Sequence, residues 1–129
     1  MLTSSRNDQL AGFGESAFIR EFLGALGQAC PPSPLGPGDD TAVLPASDQP
    51  RLVTADPVVF EQHFTSETRP ADVAAKLIRR NLSDIAAMGG RPAAAVLSMS
   101  LNPETSRAWL RLFGRALGRE ARRFGIAIV

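Results

Sequence analysis

The chain of 129 residues contains one cysteine, one histidine, one tryptophan and no tyrosine. A lone Cys30 excludes an intrachain disulfide framework and a zinc site built on cysteines, which fits a reducing compartment. An excess of one charge is lacking too, since 14 Lys plus Arg face 13 Asp plus Glu for a net charge of +1. With so weak an overall field, any electrostatic specificity must be local. No apolar run approaches the roughly 20 residues of a membrane span. Met1 to Leu10 also lacks the charged-then-apolar pattern of an export signal. These absences predict a cytoplasmic protein that binds neither membrane nor nucleic acid. What the chain does have is 44% hydrophobic residues, enough for one soluble domain with its own core.

Residues 1–13 begin polar and aperiodic, the pattern of a flexible N-terminus. Phe18, Ile19, Phe22, Leu23 and Leu26 then recur at helical spacing up to Gly27, which predicts a short amphipathic helix. Cys30 to Gly38 holds four prolines and two glycines and reads as a loop. Thr41 to Leu44 and Arg51 to Asp56 are β-prone and predict a hairpin. Pro70 opens a long helical pattern that Gly89 and Gly90 close, the preferred order of the two residue types. Ala95, Leu97, Met99 and Leu101 alternate with Val96, Ser98 and Ser100 as in a strand with one apolar face. Asn102 and Pro103 mark a helix start, and Trp109, Leu110, Phe113, Ala116, Leu117 and Phe124 form its apolar stripe. Ile126 to Val129 is strand-like with no turn after it, so an interrupted chain is expected. The order predicts an α+β fold, a ββαβαβ mixed sheet with helices on one face.

Several side chains could carry chemistry. In the long helix, spacing places Asp84 on the apolar stripe of Val73, Leu77 and Met88, with Asn81 one turn earlier. A buried carboxylate needs a cation, a metal or several donors opposite it. The plainer alternative is an Asp at a ragged helix edge, bonded to a loop amide or to Arg80. Asp39 and Asp40 precede the first predicted strand and Asp56 ends the second. A hairpin would bring Asp40 and Asp56 to one end of the sheet, where with Asp84 they would offer the hard oxygen ligands that Mg²⁺ takes. A Gly-Asp-Asp turn is the other reading of the first pair. His63 could meet an anionic substrate or simply sit on an exposed loop. Gly89 and Gly90 could approach a phosphate, though helix termination already explains them. Arg107, Arg111, Arg115, Arg119 and Arg123 form a ridge that reads first as a solvated helix face, with phosphates or an acidic partner as the alternative. Nucleic acid is disfavoured there because no aromatic interleaves the arginines.

Gly38-Asp39-Asp40-Thr41-Ala42-Val43-Leu44, Thr54-Ala55-Asp56 with His63-Phe64, and Asn81 through Gly90 with Pro92 occur in an order and spacing that resembles the thiamine-monophosphate kinase family. That family lies within the aminoimidazole ribonucleotide synthetase-like ATP-binding superfamily. The resemblance implies that 14–129 is the N-terminal ATP- and Mg-binding domain, the N-terminal half of that fold, with the C-terminal domain absent from this chain. It implies ATP-dependent phosphorylation of thiamine monophosphate to thiamine diphosphate. By the same resemblance Asp40, Thr54, Ala55, Asp56 and Asp84 are Mg²⁺ ligands and His63 contacts the substrate. No protein base is needed, because the acceptor is already a phosphate oxygen. A homodimer joined through the sheet is implied as well, and the chain alone is expected to be inactive. A non-catalytic, truncated dimerisation domain is the alternative. Two positions depart from the family: Glu61 stands where Gly is usual, beside His63, and Ala55 where Thr is frequent.

Overall fold

Three helices form the core of the computed structural model, which describes residues 9–32, 35–38 and 40–129. Helix α1 spans Glu15–Leu26 and buries Phe22 and Leu26. Gly27 ends it at φ 59°, its N–H donating to the Leu23 carbonyl, because only a residue without Cβ takes that backbone without strain. A 3-10 turn, Gly27–Ala29, follows. Helix α2, Pro70–Ala87, carries Pro in its first turn and buries Val73, Ala74 and Ile78. Helix α3, Arg107–Arg123, packs against both others and buries Leu110, Phe113, Gly114, Ala116, Leu117, Gly118 and Ala121.

The sheet is small. Strand β1, Ala94–Ala95, pairs in parallel with strand β2, Ala127–Ile128, in the register Ala94 to Ala127 and Ala95 to Ile128. The intervening α3 is the crossover that parallel strands require. This is a mixed α and β domain with three helices, and among the described residues the ββαβαβ order is not assembled. The hairpin is absent. Residues 40–53 are exposed and form no strand. Pro45 and Pro50 lack N–H donors, and the six-residue link between the segments has no Gly or Asn for a tight turn. It closes on itself instead, with the Gln49 amide donating 3.1 Å to Ser47 Oγ.

Beyond Ala95 the predicted strand pairs no further, yet its two-faced character persists. Ala95, Leu97, Met99 and Leu101 are half-buried against the core while Val96, Ser98 and Ser100 are exposed. Burial alternation is a property of side-chain pattern, whereas a ladder also needs a neighbour. Helix α3 begins four residues after Pro103. Asn102 turns the chain before it, accepting from the Glu104 amide at 2.9 Å, and Ser106 is the cap, its Oγ accepting from the Trp109 amide at 3.0 Å. The predicted flexible N-terminus falls partly on residues 1–8, which lie outside the described residues. From Gln9 onward the chain is tied down, with Leu10 and Ala11 amides donating to the Thr105 and Pro103 carbonyls.

The arginine ridge is a solvated face at Arg115, Arg119 and Arg123, which are exposed, and a clamp at its start. Arg107 and Arg111 both donate to Glu21 of α1, at 2.7 and 2.9 Å. The Arg107 hydrogen bond, joined by that of Arg111, holds the Glu21 carboxyl below its usual range against the cost of burial. Arg107 also lies over the Phe13 ring, 4.1 Å from its centroid, a cation–π arrangement.

Candidate functional site

The C-terminal half of α2 extends past the helix core. Its buried arc, Val73, Ala74 and Ile78, faces α3; from Ser83 onward only Ile85 is half-covered, and Met88 is 72% exposed. The helical period continues in sequence after the covering element has ended. Asp84 is therefore exposed rather than buried on an apolar stripe, which corrects the reading from spacing.

An extended stretch lies along this part of α2, and Asn81 holds it there. The Asp56 amide donates to Asn81 Oδ1 at 2.9 Å, and Asn81 Nδ2 donates to the Asp56 carbonyl at 2.9 Å. The same amide group reaches back to the Leu77 carbonyl at 3.0 Å. One side chain thus satisfies both backbone groups of Asp56, standing in for the neighbouring strand that is missing. Residues 54, 56 and 58 turn inward and 53, 55 and 57 outward, so Thr54 and Asp56 share the face toward α2. Thr54 Oγ1 donates to Asp84 Oδ2 at 2.8 Å.

Arg80 grips Asp56 in a two-pronged pair, Nε to Oδ2 at 2.9 Å and Nη2 to Oδ1 at 2.7 Å. That hydrogen bonding holds the Asp56 carboxyl below the usual carboxylate range, with the charge of Arg80 adding to it. Because the folded-state pKa is depressed, the stabilisation is present above the ordinary carboxylate range and is lost as pH falls through the lowered value. The Arg80 guanidinium is raised in turn by Asp56 first and also feels the charge of Asp84.

The next turn presents His63. Its amide donates to the Val59 carbonyl at 2.8 Å, and its Nδ1 accepts from the Val59 amide at 2.9 Å. With Nδ1 committed to the turn, Nε2 is the nitrogen left for a substrate. The Lys76 ammonium of α2 donates to the His63 carbonyl. Aromatic contacts anchor the turn in the core: Phe60 meets Phe64 edge-on at 5.5 Å, Phe64 stacks on Trp109 at 6.2 Å, and Trp109 stacks on Phe113 at 5.3 Å.

Glu61 sits at φ 66°, a left-handed backbone found at no other described non-glycine residue. An L-residue there costs roughly 1–2 kcal/mol, a strain that glycine would avoid. Glu61→Gly is expected to raise stability by about 0.5–1 kcal/mol, since the added freedom of the unfolded chain offsets part of the relief. A higher urea midpoint at unchanged slope would show it, and a lower midpoint would refute it.

The sequence-predicted site residues are thus partly assembled. Thr54, Asp56 and Asp84 come together along α2, with Ala55 exposed between the first two. Asp40 lies on the exposed stretch before them, because the hairpin that would have carried it in does not form. Asp39 lies outside the described residues. No group of three or more His, Cys, Asp or Glu side chains gathers among the described residues in a way that could hold a metal. In kind, the donors of Thr54, Asp56 and Asp84 are hard oxygens suited to Mg²⁺, and Arg80 already occupies both Asp56 oxygens. Reading the sequence missed Arg80 as the partner of Asp56 and Asn81 as the clamp. The Asn-Leu-Ser-Asp run, one helical turn long, was the signal available for the second.

The AIR synthase related protein, N-terminal domain, family matches residues 38–129, the stretch that contains all of this geometry. The chain belongs to that family. Thiamine-monophosphate kinase of Escherichia coli K12 is 36% identical over 105 residues, covering 81% of this chain and 32% of that protein. The enzyme of the same name from Mycobacterium tuberculosis H37Rv is 38% identical over 96 residues, 74% of this chain and 29% of its own length. That of Pyrococcus horikoshii is 33% identical over 92 residues, 71% and 30%. The chain therefore spans about a third of the length of the curated relatives it matches. Among the described residues, no helix is long and apolar enough to cross a membrane.

Proposed function

We propose that this chain is the N-terminal domain of a cytoplasmic thiamine-monophosphate kinase, supplying Mg²⁺ ligands and a substrate contact for phosphoryl transfer from ATP to thiamine monophosphate. The observation that carries this reading is the Asn81 clamp together with the Thr54 to Asp84 bond. These contacts gather a hydroxyl and two carboxylates within the family match. Thr54, Asp56 and Asp84 would hold the metal, with Asp40 and the Ala55 carbonyl joining them. Bound there, Mg²⁺ supplies neutralisation of phosphate charge and orientation of the transferred group. Asn81 fixes the ligand-bearing stretch on α2. Arg80 neutralises the Asp56 carboxylate, and its guanidinium is of the kind that would pair with phosphate oxygens. His63 Nε2 meets the substrate.

The partner proposed for the uncovered strand-like segments is a second copy of the chain. Val53 is 92% and Val96 72% exposed on extended stretches, and such edges favour pairing. Sedimentation at high concentration is expected to show dimer, and a strictly monomeric chain would refute it. A dimer that takes no Mg²⁺ would favour the non-catalytic dimerisation domain instead.

The chain alone is expected to bind Mg²⁺ weakly and to form no thiamine diphosphate. Positioning of reactants is worth on the order of 7–11 kcal/mol of barrier, and about a third of the relatives' length cannot supply it all. In an NMR titration with MgCl₂, the amides of Thr54, Asp56 and Asp84 should shift saturably, and Asp84→Asn should abolish the response. Shifts that persist in the variant would overturn the metal assignment. Thiamine diphosphate formed by this chain from ATP and thiamine monophosphate would overturn the need for a further domain.

A further inference from the structure

The arginines of α3 are not all accounted for by the clamp on Glu21. They recur at positions 107, 111, 115, 119 and 123, and like charges four apart on a helix repel. Glu21 offsets the first two, and Glu120 lies 3.8 Å from Arg123. Arg115 and Arg119 have no carboxylate within ion-pair distance among the described residues, and both are exposed. Arg122 joins them, its one hydrogen bond being a long 3.4 Å contact to the Leu26 carbonyl. These three guanidinium groups border a shallow, open cleft of about 340 Å³ between α3 and the end of α1, lined also by Ala25, Leu26, Gly27 and Gln28. In a chain of net charge +1, three positive charges around one depression are a strong local concentration.

We propose that this cleft binds a small polyvalent oxyanion of the diphosphate class. Guanidinium forks match phosphate oxygens two at a time, and Gln28 adds a neutral amide to the lining. The C-terminal end of α1 opposes an anion with about half a negative charge, which three guanidinium charges outweigh. A strand of nucleic acid fits less well, because the α3 aromatics Trp109 and Phe113 pack toward the core and leave no ring beside the arginines for base stacking. The cleft shares no residue with the Thr54, Asp56 and Asp84 group, so its occupancy is independent of the kinase reading.

The test uses sodium pyrophosphate in EDTA, without Mg²⁺, against sodium chloride of equal ionic strength. Near saturation, pyrophosphate is expected to raise Tm by about 5 °C over chloride. The Arg115→Gln/Arg119→Gln double variant is expected to lose that shift while keeping its ligand-free Tm, since both side chains are exposed and glutamine suits a helix. Equal shifts in chloride, or an undiminished shift in the double variant, would overturn the proposal. If the glutamine pair does not fold, Arg115→Lys/Arg119→Lys keeps the charge and removes the forks. Isothermal titration should then give a Kd about ten-fold weaker, and an unchanged Kd would overturn the site. Tighter binding of a generic DNA duplex than of pyrophosphate at the same ionic strength would overturn the ligand class.

Discussion

Gly118→Ala is expected to destabilise the domain by about 2–3 kcal/mol although alanine is the better helix former. A Cβ at position 118 would lie 2.3 Å from the Leu26 carbonyl oxygen and about 3 Å from the Leu26 carbonyl carbon and Cα. These are backbone atoms, which cannot swing aside, so α1 and α3 would have to separate. Leu26 and Leu117, both 1% exposed, lie where the helices cross and would lose contact with the separation. Overpacking of this kind typically costs 1–3 kcal/mol, and the roughly 1 kcal/mol gain in helix propensity offsets only part when a whole interface moves. Gly114→Ala serves as the comparison. Its Cβ would meet Ala25 Cβ at 2.9 Å and the Phe22 ring at 3.1 Å; the Ala25 Cβ is fixed to α1, so a loss is expected here too, smaller because the closest approach is 0.6 Å longer than at position 118. Urea denaturation decides between them, and equal stability of Gly118→Ala and the parent would refute the close crossing.

Asn81→Ala is expected to cost about 2 kcal/mol and to free the 54–58 stretch from α2. The substitution removes both hydrogen bonds to the Asp56 backbone, each worth about 1 kcal/mol net when part-buried. Helix propensity improves with alanine and recovers a fraction of this. The diagnostic readout is hydrogen exchange at the Asp56 amide, whose protection depends on Asn81 Oδ1 and should fall at least ten-fold. Protection that survives in the variant would mean the stretch is held by Arg80 alone. A reduced Mg²⁺ response at Asp84 should accompany the loss, since Thr54 reaches Asp84 only while its backbone is docked.

Periodicity alone was enough to place all three helices, because each buries one face and ends at glycine or a turn. Alternation alone was enough to give Ala95 to Leu101 its inner and outer faces. The family, too, was legible in short motifs, of which Thr54 to Asp56 and Asn81 to Gly90 carry the site. Tertiary structure decided what those patterns meet. Residues 41–44 and 51–56 have the composition of strands, but two prolines and the lack of a tight turn keep them from pairing with each other. Asp84 follows the apolar period of α2, yet the core ends before its turn of helix, and it faces solvent and Thr54. Asp56 reads in sequence as a metal ligand at a strand end, and only the fold brings Arg80, 24 residues away, onto both of its oxygens. The Arg107 to Arg123 ridge is uniform in sequence, and only the position of α1 divides it into a clamp on Glu21 and two arginines, Arg115 and Arg119, beside a cleft that Arg122 also lines. Local propensity and spacing are short-range properties of one segment. The partner of each face, and so the charge and burial of each side chain, is set by segments distant along the chain.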